Sequence, residues 1–561
     1  MFILVGMLTT FLLLTSVLEL SAASVEDAAA AHLRGDDATA FKILEPLAAQ
    51  GDADAQYNLG ATYFNGTGVS QDYAQALKWY RLSAAQGDAR AQHNLGVMYE
   101  KGQGISRDST EAVKWFRLSA EQGQPLAQFH LGVMYAEGNG IPQDYGEAVK
   151  WYRISAAQGN VRGQHNLGVM YERGQGVPQD LMEALKWYRL SAAQGDADGQ
   201  TILGRMYLEG KGIPQDYEKA REWFALAAEQ GNASAQNTIG TLYEHGQSVP
   251  QDYAAARDWY EKAATQGNEE SRYNLGMLYF SGHGVPQDYI KARQLWEQVA
   301  GQGYARAEYN LGWLYHYGEG VLQDYATARD WYEKAAAQGS MEAQNNLGAL
   351  YASGKGVQKD YVMARQWFEK AANQGVANSQ FFLGVMYALG QGVPQDYKTA
   401  VGWYEKAAVQ GFARAQFSLG GMYHFGTGVP QDFEKARQWY EKAAEQGNTM
   451  AQNNLGYLYV EGKGIPKDEK IGVKWIQKSA EQGDANGQDS LGEMYRDGRG
   501  VQQDDVRSYM WYSLAAARLT GDAQNLAVGS RDKIASHMTP PQLAEAQRLA
   551  RQCQSQQFKG C

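Results

Sequence analysis

Apolar and polar positions follow one another along this chain with a long, fixed period. Across Asp52 to Gly87, DADAQYNLGATYFNGTGVSQDYAQALKWYRLSAAQG, the residues Ala55, Leu59 and Tyr63 stand at i, i+4 and i+8, the apolar stripe of one helix. Ala76, Trp79, Tyr80 and Ala84 form the stripe of a second. A Gln-Gly pair closes the unit, and its glycine recurs at Gly51, Gly87, Gly123, Gly159, Gly195, Gly231, Gly267, Gly303, Gly339, Gly375, Gly411, Gly447 and Gly483, a step of 36 residues each time. Such a period overrides the prior of several globular domains that 561 residues would otherwise suggest. Thirteen two-helix units are predicted over residues 52–519.

The breaks between helices are as regular as the stripes. Gly66-Thr67-Gly68-Val69 and its counterparts supply glycines where the chain leaves a helix in the left-handed region, with Ser248 the one replacement at the second position. Asp72 and its counterparts to Asp504 are placed to cap the second helix, because a short carboxylate accepts from the orphan N–H groups of a first turn. A Glu three residues on, as in Asp108/Glu111, Asp144/Glu147 and Asp180/Glu183, resembles a capping box. Prolines such as Pro142, Pro178 and Pro214 keep that helix from extending backwards. Gly60 and its twelve counterparts fall inside the first helix, where glycine costs about 1 kcal/mol relative to alanine. Close approach of the two helices offsets that, with Trp79 and Tyr63 expected to fill the space around the contact.

A single hairpin of this size cannot bury both faces, so neighbours must stack and the ends must be capped. Residues 24–51 serve as the leading cap, an irregular segment holding the second-helix pattern Ala40, Leu44, Leu47 and Ala48. Residues 520–561, broken at Pro540-Pro541, close the far end.

Composition narrows the partners. With 44% hydrophobic and 20% charged residues the chain can bury a core. A net charge of -11 is a poor match for nucleic acid or anionic lipid, so neither is expected as a partner. Met1 to Leu18 is the one long apolar run, followed by Ser21-Ala22-Ala23, where a signal peptidase can cut after Ala23. Residues 1–23 therefore read as a signal peptide and the protein as exported, periplasmic or secreted. The alternative is a membrane anchor at residues 1–18, since no Lys or Arg precedes Arg34 to form a basic leader. Cys553 and Cys561 either close a small terminal loop in an oxidising compartment or stand as two exposed thiols.

Units of the form AxxxLGxxYxxGxGVPQDYxxAxxWYxxAAxQG resemble Sel1-like repeats, relatives of the tetratricopeptide repeat. The resemblance implies an all-α, right-handed superhelical α-solenoid of thirteen helix-turn-helix repeats, monomeric, whose first helices line a concave groove. It also implies an adaptor or scaffold that binds protein or peptide segments, in envelope signalling, envelope assembly or host interaction. One cysteine-rich branch of the family is credited with β-lactamase activity, so an envelope hydrolase is the alternative. That branch carries a disulfide in each repeat, which this chain lacks, and no enzyme is expected here.

The groove then supplies the candidate residues. Asn58, Asn94, Asn166, Asn274, Asn310, Asn346 and Asn454 share one position of the first helix. Their amides can either hold an extended peptide backbone or bond internally between repeats. Among nearby aromatics, Trp313, Tyr317, Phe381 and Phe425 are candidate anchors for a partner's apolar side chains, with packing between helices as the plainer reading. His93, His130 and His165 come from successive repeats without ligand spacing, so neither a metal nor a cofactor is expected. The lone Ser-x-x-Lys, Ser530 to Lys533, lacks the partner motifs of a β-lactam-reactive site. The second helix carries Arg81, Arg117, Arg153 and Arg189 early in the chain. From the sixth to the eleventh unit the same place holds Glu261, Glu297, Glu333, Glu369, Glu405 and Glu441, a pattern that reads as solvated faces.

Overall fold

The computed structural model describes residues 24–561, so the expected leader or anchor at residues 1–23 lies outside the described residues. Thirty α-helices and no strand occur among the described residues. They fall into two compact units, one of residues 24–278 with His283–Val285, the other of Tyr279–Gly282 with Pro286–Cys561.

Each repeat is built by the same few contacts. In the first, helices Ala53–Asn65 and Tyr73–Ala85 flank a loop that Gly66 opens at φ 72. The Gln-Asp pair fastens that loop at both ends. Gln71 Nε2 donates to the Phe64 carbonyl at 2.8 Å, and the Asp72 N–H donates to the Tyr63 carbonyl at 2.9 Å. Asp72 Oδ1 in turn accepts from the Ala74 and Gln75 amides, and its counterpart caps the second helix in every repeat. The anticipated capping box does not form, however. Glu111, Glu147 and Glu183 each reach forward to a lysine on the next turn, because the cap residue's own N–H, the donor a capping box needs, already bonds the carbonyl of Tyr99, Tyr135 or Tyr171. At the far end Gly87 takes φ 96 while its N–H and that of Asp88 bond back to Ala84 and Ser83, a Schellman turn into the next repeat.

The mid-helix glycine does mark a close approach, but a different ring fills it. An added Cβ on Gly60 would lie 2.7 Å from Cδ1 of Tyr80, which is 1% exposed. Trp79, one residue earlier and so about 100° around the helix, is half-buried and packs with Tyr63 on the core of the preceding hairpin. The same division recurs with Phe116 on Gly96 and Trp151 on the core of the repeat before it. Each second helix thus grips its own partner with one ring and its predecessor with the next.

A buried amide row adds polar specificity within each unit. Gln86 Nε2 donates to Gln56 Oε1 at 2.8 Å, and Gln56 Nε2 donates to the Ala48 carbonyl at 3.0 Å. The pairs Gln122–Gln92, Gln158–Gln128, Gln374–Gln344 and Gln446–Gln416 repeat this link between the end of the second helix and the first helix of the same repeat. Each of these donating glutamine nitrogens has its acceptor, as a polar group taken out of water requires.

The leading cap is more ordered than its sequence suggested: Val25–Leu33 and Asp37–Ala49 form a complete hairpin. Ala40, Leu44 and Ala48 are buried on the first repeat and Leu47 is half-buried. At the other end Pro540-Pro541 begins helix Pro540–Ser555, where Thr539 and Gln542 form a capping box. Cys553 and Cys561 are disulfide-bonded, and Cys553 sits in a core with Trp511 and Met494. The bond holds the terminal turn so that Phe558 lies against Gly483, under the Arg518 guanidinium at 4.9 Å.

Candidate functional site

Residues at the sixth, ninth, tenth and thirteenth places after a repeat's first-helix start-cap, such as Asn58, Ala61, Thr62 and Asn65, fall at i, i+3, i+4 and i+7 and so line about two turns of one face. In the first repeat these four border a cavity roofed by the cap residues His32 and Leu33.

The asparagines of this face are half-buried and turn largely inward. Asn58 Nδ2 donates to the Asp54 carbonyl at 2.9 Å, and Asn274 Nδ2 to Asn237 Oδ1 at 3.2 Å. Asn454 Nδ2 donates to the Tyr440 hydroxyl at 3.3 Å, and Asn346 Oδ1 accepts from Asn345 at 3.2 Å. Asn94 and Asn166 lie against the hydroxyls of Tyr80 and Tyr152, the rings that rest on the mid-helix glycines. Asn310 occupies the same half-buried place. A peptide backbone bound here competes with these internal bonds.

The aromatic candidates divide in two. Trp313 packs edge-on against Phe280 at 5.1 Å, and Phe381 is ringed by Phe382, Tyr404 and Phe412. Both are half-buried packing residues. Tyr317 and Phe425, by contrast, are 56% and 71% exposed at the last place of their helices. Leu389 holds the identical place in the repeat preceding that of Phe425 and is 61% exposed. Sequence reasoning passed over it because it searched for aromatics; its 36-residue offset from Phe425 was the available signal.

The titratable groups are mostly buried structure. His130 stacks on Phe116 at 4.9 Å, and burial first, then the neighbouring His93, pushes its pKa down to about 3. His165 pairs with Asp196 at 3.2 Å. Asp489 is pushed up to about 6 by burial and by Glu493, which accepts from the Tyr457 hydroxyl at 2.7 Å. Among the described residues no group of three or more His, Cys, Asp or Glu side chains is arranged to hold a metal ion. Ser530 bonds toward Tyr512, while Lys533 is exposed. No helix among the described residues is long and apolar enough to cross a membrane.

The Sel1 repeat profile matches thirteen successive segments, from 53–88 to 485–518. Among solved structures the chain is similar to a protective antigen of uropathogenic Escherichia coli strains that displays an SLR fold. Identity is 36%, with 86% of this chain and 96% of that one covered and a TM-score of 0.57. It is also similar to a Sel1 repeat protein from Oxalobacter formigenes, at 35% identity over 55% of this chain and 90% of that one, with a TM-score of 0.46. No curated protein matches. A helical-repeat scaffold of this kind fits a role in protein interaction, and the thirteen matches settle its kinship: the chain belongs to the Sel1 repeat family.

Proposed function

We propose that the protein is an exported adaptor that captures segments of partner proteins along its first-helix face, acting in envelope signalling, envelope assembly or host interaction. The observation that carries this reading is the set of large apolar side chains at one repeat position, Tyr317, Leu389 and Phe425, each more than half exposed. An exposed apolar side chain is ordinary when single, but a set at one repeat position offers anchors for a bound segment. The half-buried asparagines beside them supply donors and acceptors for its backbone. Export is supported by the apolar run Met1 to Leu18 with its small-residue cleavage site, and by the Cys553–Cys561 bond, which persists in oxidising compartments.

Capture from envelope extracts tests the reading. Serine is native at this position in Ser353, so Tyr317→Ser, Leu389→Ser and Phe425→Ser together leave the hairpins intact. Each lost anchor costs on the order of 1–2 kcal/mol of binding, so the triple variant is expected to lose its partner. Retention by that variant, and by a variant with Asn274, Asn310 and Asn346 changed to Ala, counts against the adaptor face. Sequencing of the mature N-terminus reports export independently: a chain beginning at Ser24 is expected, and one retaining Met1 opposes cleavage.

A further inference from the structure

The second helices carry a surface that this reading leaves unused. Leu82, Leu118, Ile154, Leu190 and Leu226 occupy one position in the first five repeats, and each is 43–47% exposed. Directly before four of them stand Arg81, Arg117, Arg153 and Arg189, which donate to the hydroxyls of Tyr99, Tyr135, Tyr171 and Tyr207 at 2.8–3.1 Å. Among the described residues none of these four guanidinium groups pairs with a carboxylate. Their partners are neutral, so the charge of the row stays uncompensated. Of the lysines one turn earlier, Lys114, Lys150 and Lys186 are each matched by a glutamate on their own helix, while Lys78 lies over Trp79 at 4.8 Å.

Later repeats seal the same two positions. In six of them the leucine is replaced by lysine, and Lys262, Lys334, Lys370, Lys406, Lys442 and Lys478 each lie over their own helix's tryptophan at 3.9–4.4 Å. The arginine is replaced by glutamate, and Glu297, Glu333, Glu369 and Glu441 are matched by an arginine one turn back. One sequence family thus holds two versions of a helix face. One is closed by cation–π contact and internal ion pairs, and the other is left apolar and positive.

We propose that the second-helix face of repeats one to five is a docking surface for an acidic amphipathic segment of a partner protein, its carboxylates meeting the arginine row and its apolar side chains the leucine row. Charge complementarity selects the sign, because a basic patch on a chain of net charge -11 attracts acidic partners locally. Shape favours a protein over a lipid surface. Leu118 lies with Val113 and Ile141 in an open groove between its helix and the loop of the next repeat, where a side chain can insert and a flat bilayer cannot follow.

The test uses the full chain and a fluorescein-labelled helical peptide with Glu and Leu on opposite faces. A scrambled peptide of the same composition and a Lys-for-Glu peptide serve as controls. Fluorescence anisotropy is expected to show the amphipathic acidic peptide binding at least tenfold tighter than either control, with affinity falling as salt rises. Leu82→Gln, Leu118→Gln, Ile154→Gln and Leu190→Gln together are expected to lose at least tenfold. Glutamine is native at that position in Gln298 and adds no charge, so circular dichroism should be unchanged. The triple variant Tyr317→Ser, Leu389→Ser, Phe425→Ser is expected to bind this peptide as the native chain does, which separates this surface from the adaptor face. Equal binding by the native chain and the glutamine set overturns the proposal. So does binding confined to phosphatidylglycerol vesicles, or a self-association of the native chain that the glutamine set abolishes while the peptide is ignored.

Discussion

Replacing Gly348 by alanine asks whether the mid-helix glycines exist for the ring that rests on them. A Cβ built there would stand 2.6 Å from both Cδ1 and Cε1 of Phe368 and 2.8 Å from its Cγ. Carbon atoms pack at about 3.5–4.0 Å, so the ring must retreat by roughly 1 Å. Phe368 is 1% exposed and stacks on Phe382 of the next repeat at 5.2 Å and 14°, so the displacement passes on. Overpacking of this kind costs about 1–3 kcal/mol, while the gain in helix propensity returns about 1 kcal/mol. A net loss of about 1 kcal/mol is expected. Gly402 is the control, a glycine on an exposed stretch of helix Tyr397–Val409 with nothing within 4 Å of a built Cβ. There alanine should stabilise by about 1 kcal/mol through propensity alone. Because a repeat array need not unfold as one unit, the readout is amide hydrogen exchange of the two affected hairpins. Exchange should quicken in helix Met341–Ser353 for Gly348→Ala and slow in Tyr397–Val409 for Gly402→Ala, the two differing by roughly thirtyfold, or about 2 kcal/mol. Equal slowing in both would refute the close-packing explanation.

Further outcomes follow from single departures in the repeat. Ser248 keeps the left-handed φ of 63 that glycine adopts elsewhere, a conformation costing an L-residue about 1–2 kcal/mol. Ser248→Gly should therefore slow exchange in helix Tyr253–Thr265; faster exchange would show that the serine side chain matters more than the strain. Glu308 stands where other repeats place the buried glutamine, accepts from Gln338 at 2.7 Å, and has its pKa raised by burial. A carboxyl that holds its proton more tightly when folded stabilises in its protonated form, and that contribution is lost as pH rises through the folded pKa. Glu308→Gln should thus stabilise at neutral pH, with the advantage shrinking toward pH 4 in paired denaturation curves. An advantage independent of pH would contradict this. Burial lowers the pKa of His93 and His130, so both fold as neutral rings. Stability of helices Ala89–Lys101 and Pro125–Glu137 should fall as pH drops below about 6.5, the unfolded histidine value, and His130→Phe should flatten that fall.

Periodicity made the architecture readable because each repeat states the same local rules many times over. The Asp72 cap, the Gly66 turn and the close approach at Gly60 were all legible from residue type and spacing. What escaped was direction around the helix. Trp79 and Tyr80 are adjacent and both aromatic, so composition alone does not tell which ring meets the glycine; only the 100° step between them does. The buried Gln56–Gln86 link was also missed, since a polar residue in a conserved-looking frame reads as surface until its acceptor is seen across 30 residues of chain. The site was less legible than the fold. The asparagines share a helix position, which the sequence displays, but their internal partners, such as Asp54 and Tyr440, come from geometry. Exposure distinguished Phe425 from Phe381, two first-helix phenylalanines eight places apart in the repeat that sequence alone reads alike as aromatic anchors.

The central claim is that partners meet the first-helix face, and site-specific photocrosslinking tests it most directly. Benzoylphenylalanine placed at Phe425 or Tyr317 of the full chain in living cells is expected to yield discrete crosslinked adducts. The same probe at Leu526, a leucine 72% exposed on the penultimate helix Gly521–Ala535, should yield none. Adducts at Leu526 with none at Phe425 and Tyr317 would contradict the account.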